Sequence, residues 1–110
     1  MKGVESYVVE FSLKADDQLG ALYDYIVAET APIVAKRYTD AIVEYCEGMQ
    51  TFPHRGTRRD DVRPGLRVTN FKGSAVIAFA VDDAAKTVTI IGIYYGGQDY
   101  ESVLQLGLDD

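Results

Sequence analysis

Three apolar segments, rich in β-branched and aromatic residues, lie close together in the second half of this chain, and they constrain its fold more than anything else in it. Leu66 to Phe71, Ala75 to Val81 and Val88 to Tyr95 are separated only by a turn at Lys72-Gly73 and by Asp82-Asp83-Ala84-Ala85-Lys86. A parallel connection needs a dozen or more residues to cross back over a sheet, so these three segments must be neighbours in an antiparallel meander. Tyr7 to Phe11 has the same strand-forming chemistry. Ser12 then offers a helix cap, and Asp16 and Asp17 place negative charge where the helix dipole favours it. Leu19, Leu22, Tyr23 and Ile26 follow as one apolar stripe. Thr30-Ala31-Pro32 ends that helix and opens another, whose stripe of Val34, Tyr38, Ala41, Tyr45 and Met49 runs to Phe52 before Pro53 stops it. The order β-α-α-β-β-β predicts an α+β, two-layer domain spanning residues 1–110, with a helical hairpin packed on an antiparallel sheet. Gly96-Gly97 is expected to break the last strand and leave a polar tail.

At 110 residues and 47% apolar composition, the chain can bury one core and is not a disordered segment. No apolar run approaches the roughly 20 residues that span a bilayer. Met1 to Glu5 lacks the charged, apolar and small-residue pattern of an export signal. Cys46 is the single cysteine, so no internal disulfide forms, and a cytoplasmic location is expected. One cysteine and one histidine cannot make a structural zinc site, and no metal or cofactor is expected.

Charge is unevenly placed. The net charge is −6, yet Arg55, Arg58, Arg59, Arg63 and Arg67 stand within thirteen residues against only Asp60 and Asp61. That leaves +3 locally and −9 on the remainder. A basic strip on an acidic body suits a dedicated anionic partner better than general nucleic-acid binding. The alternative is a solvated polar loop. Arg67 is distinct because it opens a strand, facing with Thr69 and Phe71 away from Leu66 and Val68. A guanidinium on a strand is well placed for phosphate or carboxylate, or for an ion pair with a nearby aspartate.

Little else suggests catalysis. His54 follows Pro53 in a loop, where a lone histidine is more often solvated or capping. No serine or cysteine has a base beside it, and Cys46 lies next to the apolar stripe of its helix. Gly96-Gly97 is not followed by the helix that a phosphate loop requires. The pairs Asp16-Asp17, Asp60-Asp61 and Asp82-Asp83 fall in caps and turns, which favour aspartate for backbone reasons.

The helical hairpin ending at Phe52-Pro53, the run from Gly56 to Arg67 with Pro64-Gly65-Leu66-Arg67, and the ending Ile93-Tyr94-Tyr95-Gly96-Gly97-Gln98-Asp99-Tyr100-Glu101 together resemble the RelE/ParE superfamily of type II toxin–antitoxin toxins. The ending resembles the ParE, or plasmid-stabilisation, branch. The resemblance implies a growth-arresting toxin held in a hetero-oligomer by a cognate antitoxin, with no sequence-specific DNA binding of its own. RelE-like members cut messenger RNA on the ribosome with basic residues and a tyrosine or histidine, whereas ParE-like members poison DNA gyrase. Arg67 matches the nuclease arginine on the first meander strand, and Tyr95 is the tyrosine to pair with it. Where nucleases carry further basic residues, this chain has Gly96, Gly97 and Gln98. A tyrosine with a pKa near 10 and no cationic neighbour is a poor acid–base catalyst at neutral pH. Gyrase inhibition by protein contact is therefore the expected activity, with the endonuclease or an inactive antitoxin-binding module as alternatives. Arg55, Arg58, Arg59, Arg63 and Arg67, with Tyr23 and Tyr38 on the helices, are the expected antitoxin contacts. Tyr95, Asp99 and Tyr100 are the expected target contacts.

Overall fold

Ser12 is where strand gives way to helix, and its hydroxyl bonds in both directions. It accepts from the Ala15 amide at 3.0 Å and donates to the Ile91 carbonyl at 3.0 Å, so the first helix starts anchored to the last strand. The computed structural model describes residues 6–106. Strand β1 (Val8–Phe11) leads into helices α1 (Leu13–Glu29) and α2 (Pro32–Glu47). These are followed by strands β2 (Thr57–Arg58), β3 (Leu66–Phe71), β4 (Ala75–Asp82) and β5 (Thr87–Tyr95), and then by helix α3 (Tyr100–Leu106). The sheet order is β1-β5-β4-β3-β2.

The α+β architecture and the antiparallel meander are as expected. The sheet as a whole is mixed, because β1 lies parallel to β5, with Val8 opposite Thr87 and Phe11 opposite Ile90. The helical hairpin supplies the crossover that a parallel pair needs. Strand β2, absent from the predicted order, adds a two-residue edge on β3. Helix α2 ends at Glu47 and not at Phe52, continuing as a single 3₁₀ turn from Gly48 to Gln50. Glycine weakens the helix there, and the carbonyls released find partners: the Tyr7 amide donates to Gln50 at 2.9 Å, and Arg55 reaches Gly48 and Phe52.

The hairpin face of the sheet carries the main core. Leu22, Ile42, Cys46 and Met49 from the helices meet Phe71, Ile77, Phe79, Val88, Ile90 and Ile93, all buried. Burial, only partly offset by Arg55, pushes the Cys46 thiol up to about 12, so it stays neutral and is a packing residue.

The expected polar tail is the largest departure. Residues 100–106 form α3 on the opposite face, where Leu104 is buried with Leu66, Ala78 and Tyr94. The sheet is therefore partly covered on both sides. A bulge in β5 makes this possible: Ala78 pairs with Gly92 but Phe79 pairs with Ile90, leaving Ile91 as the extra residue. The strand's alternation shifts there, so Val88 and Ile90 share the hairpin face with Ile93 and Tyr95, while Ile91 and Tyr94 turn towards α3. Gly92 makes room for the Tyr94 ring, since a Cβ at that position would lie 2.5 Å from the Tyr94 hydroxyl.

Candidate functional site

The five clustered arginines are held in three different ways. Arg58 and Arg59 are answered locally by the aspartates two residues on. Arg58 reaches Asp60 at 3.1 Å, and Arg59 grips Asp61 through both ends of its fork at 3.0 and 2.9 Å. Arg59 also donates to the Tyr100 hydroxyl at 2.8 Å and to Glu101 at 2.6 Å, which ties the loop to α3. Asp61 first, then Glu101, raises the pKa of Arg59 above the ordinary arginine value. Arg63 donates twice to the Leu104 carbonyl near the C-terminal end of α3, at 3.2 and 2.9 Å, a favourable place for a cation.

Arg55 and Arg67 are fixed by backbone carbonyls instead. Arg55 bonds to Phe52 and Gly48, with its guanidinium 4.9 Å above the Tyr45 ring. Arg67 bonds to the carbonyls of Arg55 and His54 at 3.1 and 3.2 Å. Its predicted facing is correct: Thr69 and Phe71 share its side, where Thr69 meets the Tyr45 hydroxyl at 2.9 Å. Neither arginine has a carboxylate within ion-pair reach among the described residues.

Asp83 is the residue whose role was invisible in the sequence. Asp82 carries out the turn duty expected of the pair by accepting from the Ala85 amide at 3.0 Å. Asp83 accepts from the Tyr7 hydroxyl at 2.6 Å and meets His54 Nε2 at 2.8 Å, joining the residue just before β1, the loop before β2 and the β4–β5 turn. These partners are 76 and 29 residues away in the chain, so no local signal could have pointed to them. The Tyr7 hydrogen bond, then the His54 contact, holds the Asp83 carboxyl below its ordinary value. Asp61, bonded to Arg59, is also lowered, as is Asp60, chiefly by the Gly65 amide. For carboxylates lowered in the folded state, the stabilisation is fully present above the unfolded pKa of about 4 and fades as pH falls through the lowered values. Thermal midpoints are accordingly expected to be flat from pH 7 to about 5 and to drop below about 4, and Asp83→Asn should make that drop shallower.

The Tyr95 end of the sheet has a different character. One cleft there is lined by Asn70, Ser74, Val76, Tyr94, Tyr95, Gly97 and Gln98, and a second by Lys14, Gln18, Tyr94, Gln98, Asp99 and Val103. Lys14, the one cation lining them, shares its cleft with Asp99. Asp99 itself caps α3 by accepting from the Ser102 amide at 3.1 Å. Tyr100 is half-buried, packed against Tyr94 and held by Arg59. Tyr23 and Tyr38, the expected helix contacts, are both half-buried, Tyr38 against Phe71 and Ser74. Arg67 and Tyr95 do not converge. Tyr95 pairs through Ala75 with Phe71, four residues along β3 from Arg67, which puts the two backbones about 16 Å apart. Among the described residues no cluster of His, Cys, Asp or Glu could hold a metal ion, and no helix is long and apolar enough to cross a membrane.

The model of a family described as the ParE toxin of the type II toxin–antitoxin system parDE matches residues 9–100. The chain belongs to the ParE toxin family. It is thus a toxin of the type II toxin–antitoxin class, and the resemblance seen in its loop and ending is correct. Among solved structures it is similar to the chromosomal ParDE system of P. aeruginosa, at 25% identity and a TM-score of 0.71 over 83% of this chain and 97% of the other. Two further likenesses show the fold alone. The RelBE2 toxin–antitoxin complex of Mycobacterium tuberculosis is 22% identical with a TM-score of 0.63, over 89% of this chain and 100% of that one. A mutant of the E. coli toxin RelE in the free state is 13% identical with a TM-score of 0.58, over 94% and 97%. No curated protein sequence is a significant match.

The arginine loop and α3 form one unit through Arg59. Arg59→Ala is expected to raise amide hydrogen exchange in residues 100–106 while leaving β4 and β5 protected, because α3 is short and its attachment is mostly to this loop. Unchanged exchange in α3 would show that Arg63 and the buried Leu104 hold it without Arg59.

Proposed function

We propose that this toxin acts in the cytoplasm by inhibiting DNA gyrase through protein–protein contact, and that a cognate antitoxin neutralises it in a hetero-oligomer. The observation that carries the reading is the separation of Arg67 from Tyr95. Phosphodiester cleavage needs an acid–base group and a cation around one phosphate. Here the backbones of the two candidates stand about 16 Å apart across the sheet, with Thr69, Phe71 and Tyr45 between them. Losing one charge-stabilising group typically lowers a rate roughly a hundredfold or more, so this arrangement favours a binding toxin over a nuclease. The Gly96–Gln98 turn with Tyr95, Asp99 and Tyr100 is the proposed target side. The arginine strip with Tyr23 and Tyr38 is the proposed antitoxin side, and the ParDE neighbour, a toxin–antitoxin system, favours such a partner.

The test is a topoisomer assay with purified protein and gyrase, alongside expression without antitoxin. Inhibited supercoiling and a replication block with intact ribosomal messages are expected. Codon-spaced cleavage of translated messages, lost in Arg67→Ala, would establish the endonuclease instead.

A further inference from the structure

The β2–β3 ladder places Arg58 directly opposite Arg67. Side chains opposite one another across such a pair face the same way, with Cβ atoms about 5 Å apart, and like charges there are destabilising. Both arginines line a pocket of about 210 Å³, together with His54, Gly65, Val81 and Asp83. Arg58 has Asp60 as its counter-charge. Arg67 is aimed by two carbonyls, which fix its direction without neutralising it. Two guanidiniums lining one pocket, one of them held by carbonyls and with no carboxylate in ion-pair reach among the described residues, suit one oxyanion.

We propose that this pocket binds a single carboxylate: an aspartate or glutamate side chain presented by a protein partner, lodged between Arg58 and Arg67 with His54 at its side. A phosphate would satisfy the same donors, but a nucleic-acid strand brings a charge about every 3.4 Å of helix axis. Asp83 lines this pocket, Asp60 is paired with Arg58 beside it, and the chain carries −6 overall. One acid fits between these carboxylates, whereas a polyanion meets them. The inference rests on the proposed function only in taking a protein as the source of the acid.

The arginine side-chain Nε–H resonances and the His54 ring signals of the ¹⁵N-labelled protein provide the readout. The probes are a short blocked peptide with one glutamate, its glutamine counterpart, inorganic phosphate, and a single-stranded oligonucleotide. Saturable shifts at Arg67 and His54 with the glutamate peptide are expected, with a dissociation constant on the order of 1 mM. The glutamine peptide should give none, and Arg67→Gln should abolish the response while Arg37→Gln, exposed on α2 outside the cluster, keeps it. Arg67→Lys, which retains charge but not the fork, should weaken it several-fold and guards against a folding defect in Arg67→Gln. No saturable shift, or one that survives in Arg67→Gln, would overturn the site. Binding of the oligonucleotide at these resonances more tightly than the peptide would overturn its assignment to a protein acid. Gyrase is absent from this experiment, so its failure and a negative topoisomer assay are separate results.

Discussion

Phe79→Ala is expected to remove about 3–5 kcal/mol of stability, the range for deleting a large buried aromatic. Phe79 lies in β4, near the middle of the sheet, and is fully buried in the hairpin-face core. The bulge at Ile91 lies beside it, since register changes between Ala78 and Phe79. The neighbouring backbone is thus already bent around this side chain and has little freedom to close the cavity. Against a typical total of about 5–15 kcal/mol for a domain, the loss leaves a marginally folded protein. Urea unfolding followed by circular dichroism measures it through a lower midpoint at an unchanged slope. A loss below roughly 1 kcal/mol would show that the core collapses onto the site, contrary to the packing described.

Gly56→Ala is expected to cost roughly 2–4 kcal/mol, from two additive sources. Gly56 has φ +75°, a left-handed conformation that disfavours any side chain. Its new Cβ would stand 2.3 Å from the Val68 carbonyl oxygen. That neighbour is backbone within β3, paired on its other side to β4, and so cannot rotate away. The strain is best relieved by detaching β2, which begins at the next residue. Loss of hydrogen-exchange protection at the β2–β3 pairing should therefore accompany a lower melting temperature, and the Arg58–Arg67 pairing should be lost with it. A Gly56→Ala protein with unchanged melting and exchange would mean that the loop re-routes without strain.

The elements of this fold were legible because their signals are local. Ser12 followed by apolar residues at helical spacing marks α1, Pro32 marks the start of α2, and the short connections after Phe71 and Asp82 force the meander. Helix α3 was not legible. Of residues 100–105 only Leu104 is fully buried, and the helix's attachment depends on Arg59 and Arg63, some forty residues earlier. A single buried leucine among Glu101, Ser102 and Gln105 is indistinguishable from a polar tail by periodicity. The bulge hid the second face in the same way, because strict alternation cannot assign Ile90 and Ile93 to one side.

For the arginine loop, the sequence determined that five cations and two aspartates are close together, and no more. Only the tertiary structure decided which charges are spent. Arg58 and Arg59 fold back on Asp60 and Asp61, Arg63 closes on α3, and Arg55 and Arg67 are aimed by carbonyls, with no carboxylate in ion-pair reach among the described residues. Most of the element order follows from spacing along the chain, since turns, caps and apolar periods act over a few residues. The candidate pocket depends on β2 meeting β3 and on Asp83 meeting His54 and Tyr7. These contacts bring together distant residues that carry no mark of one another until the sheet is formed, so their chemistry appears only with the tertiary structure.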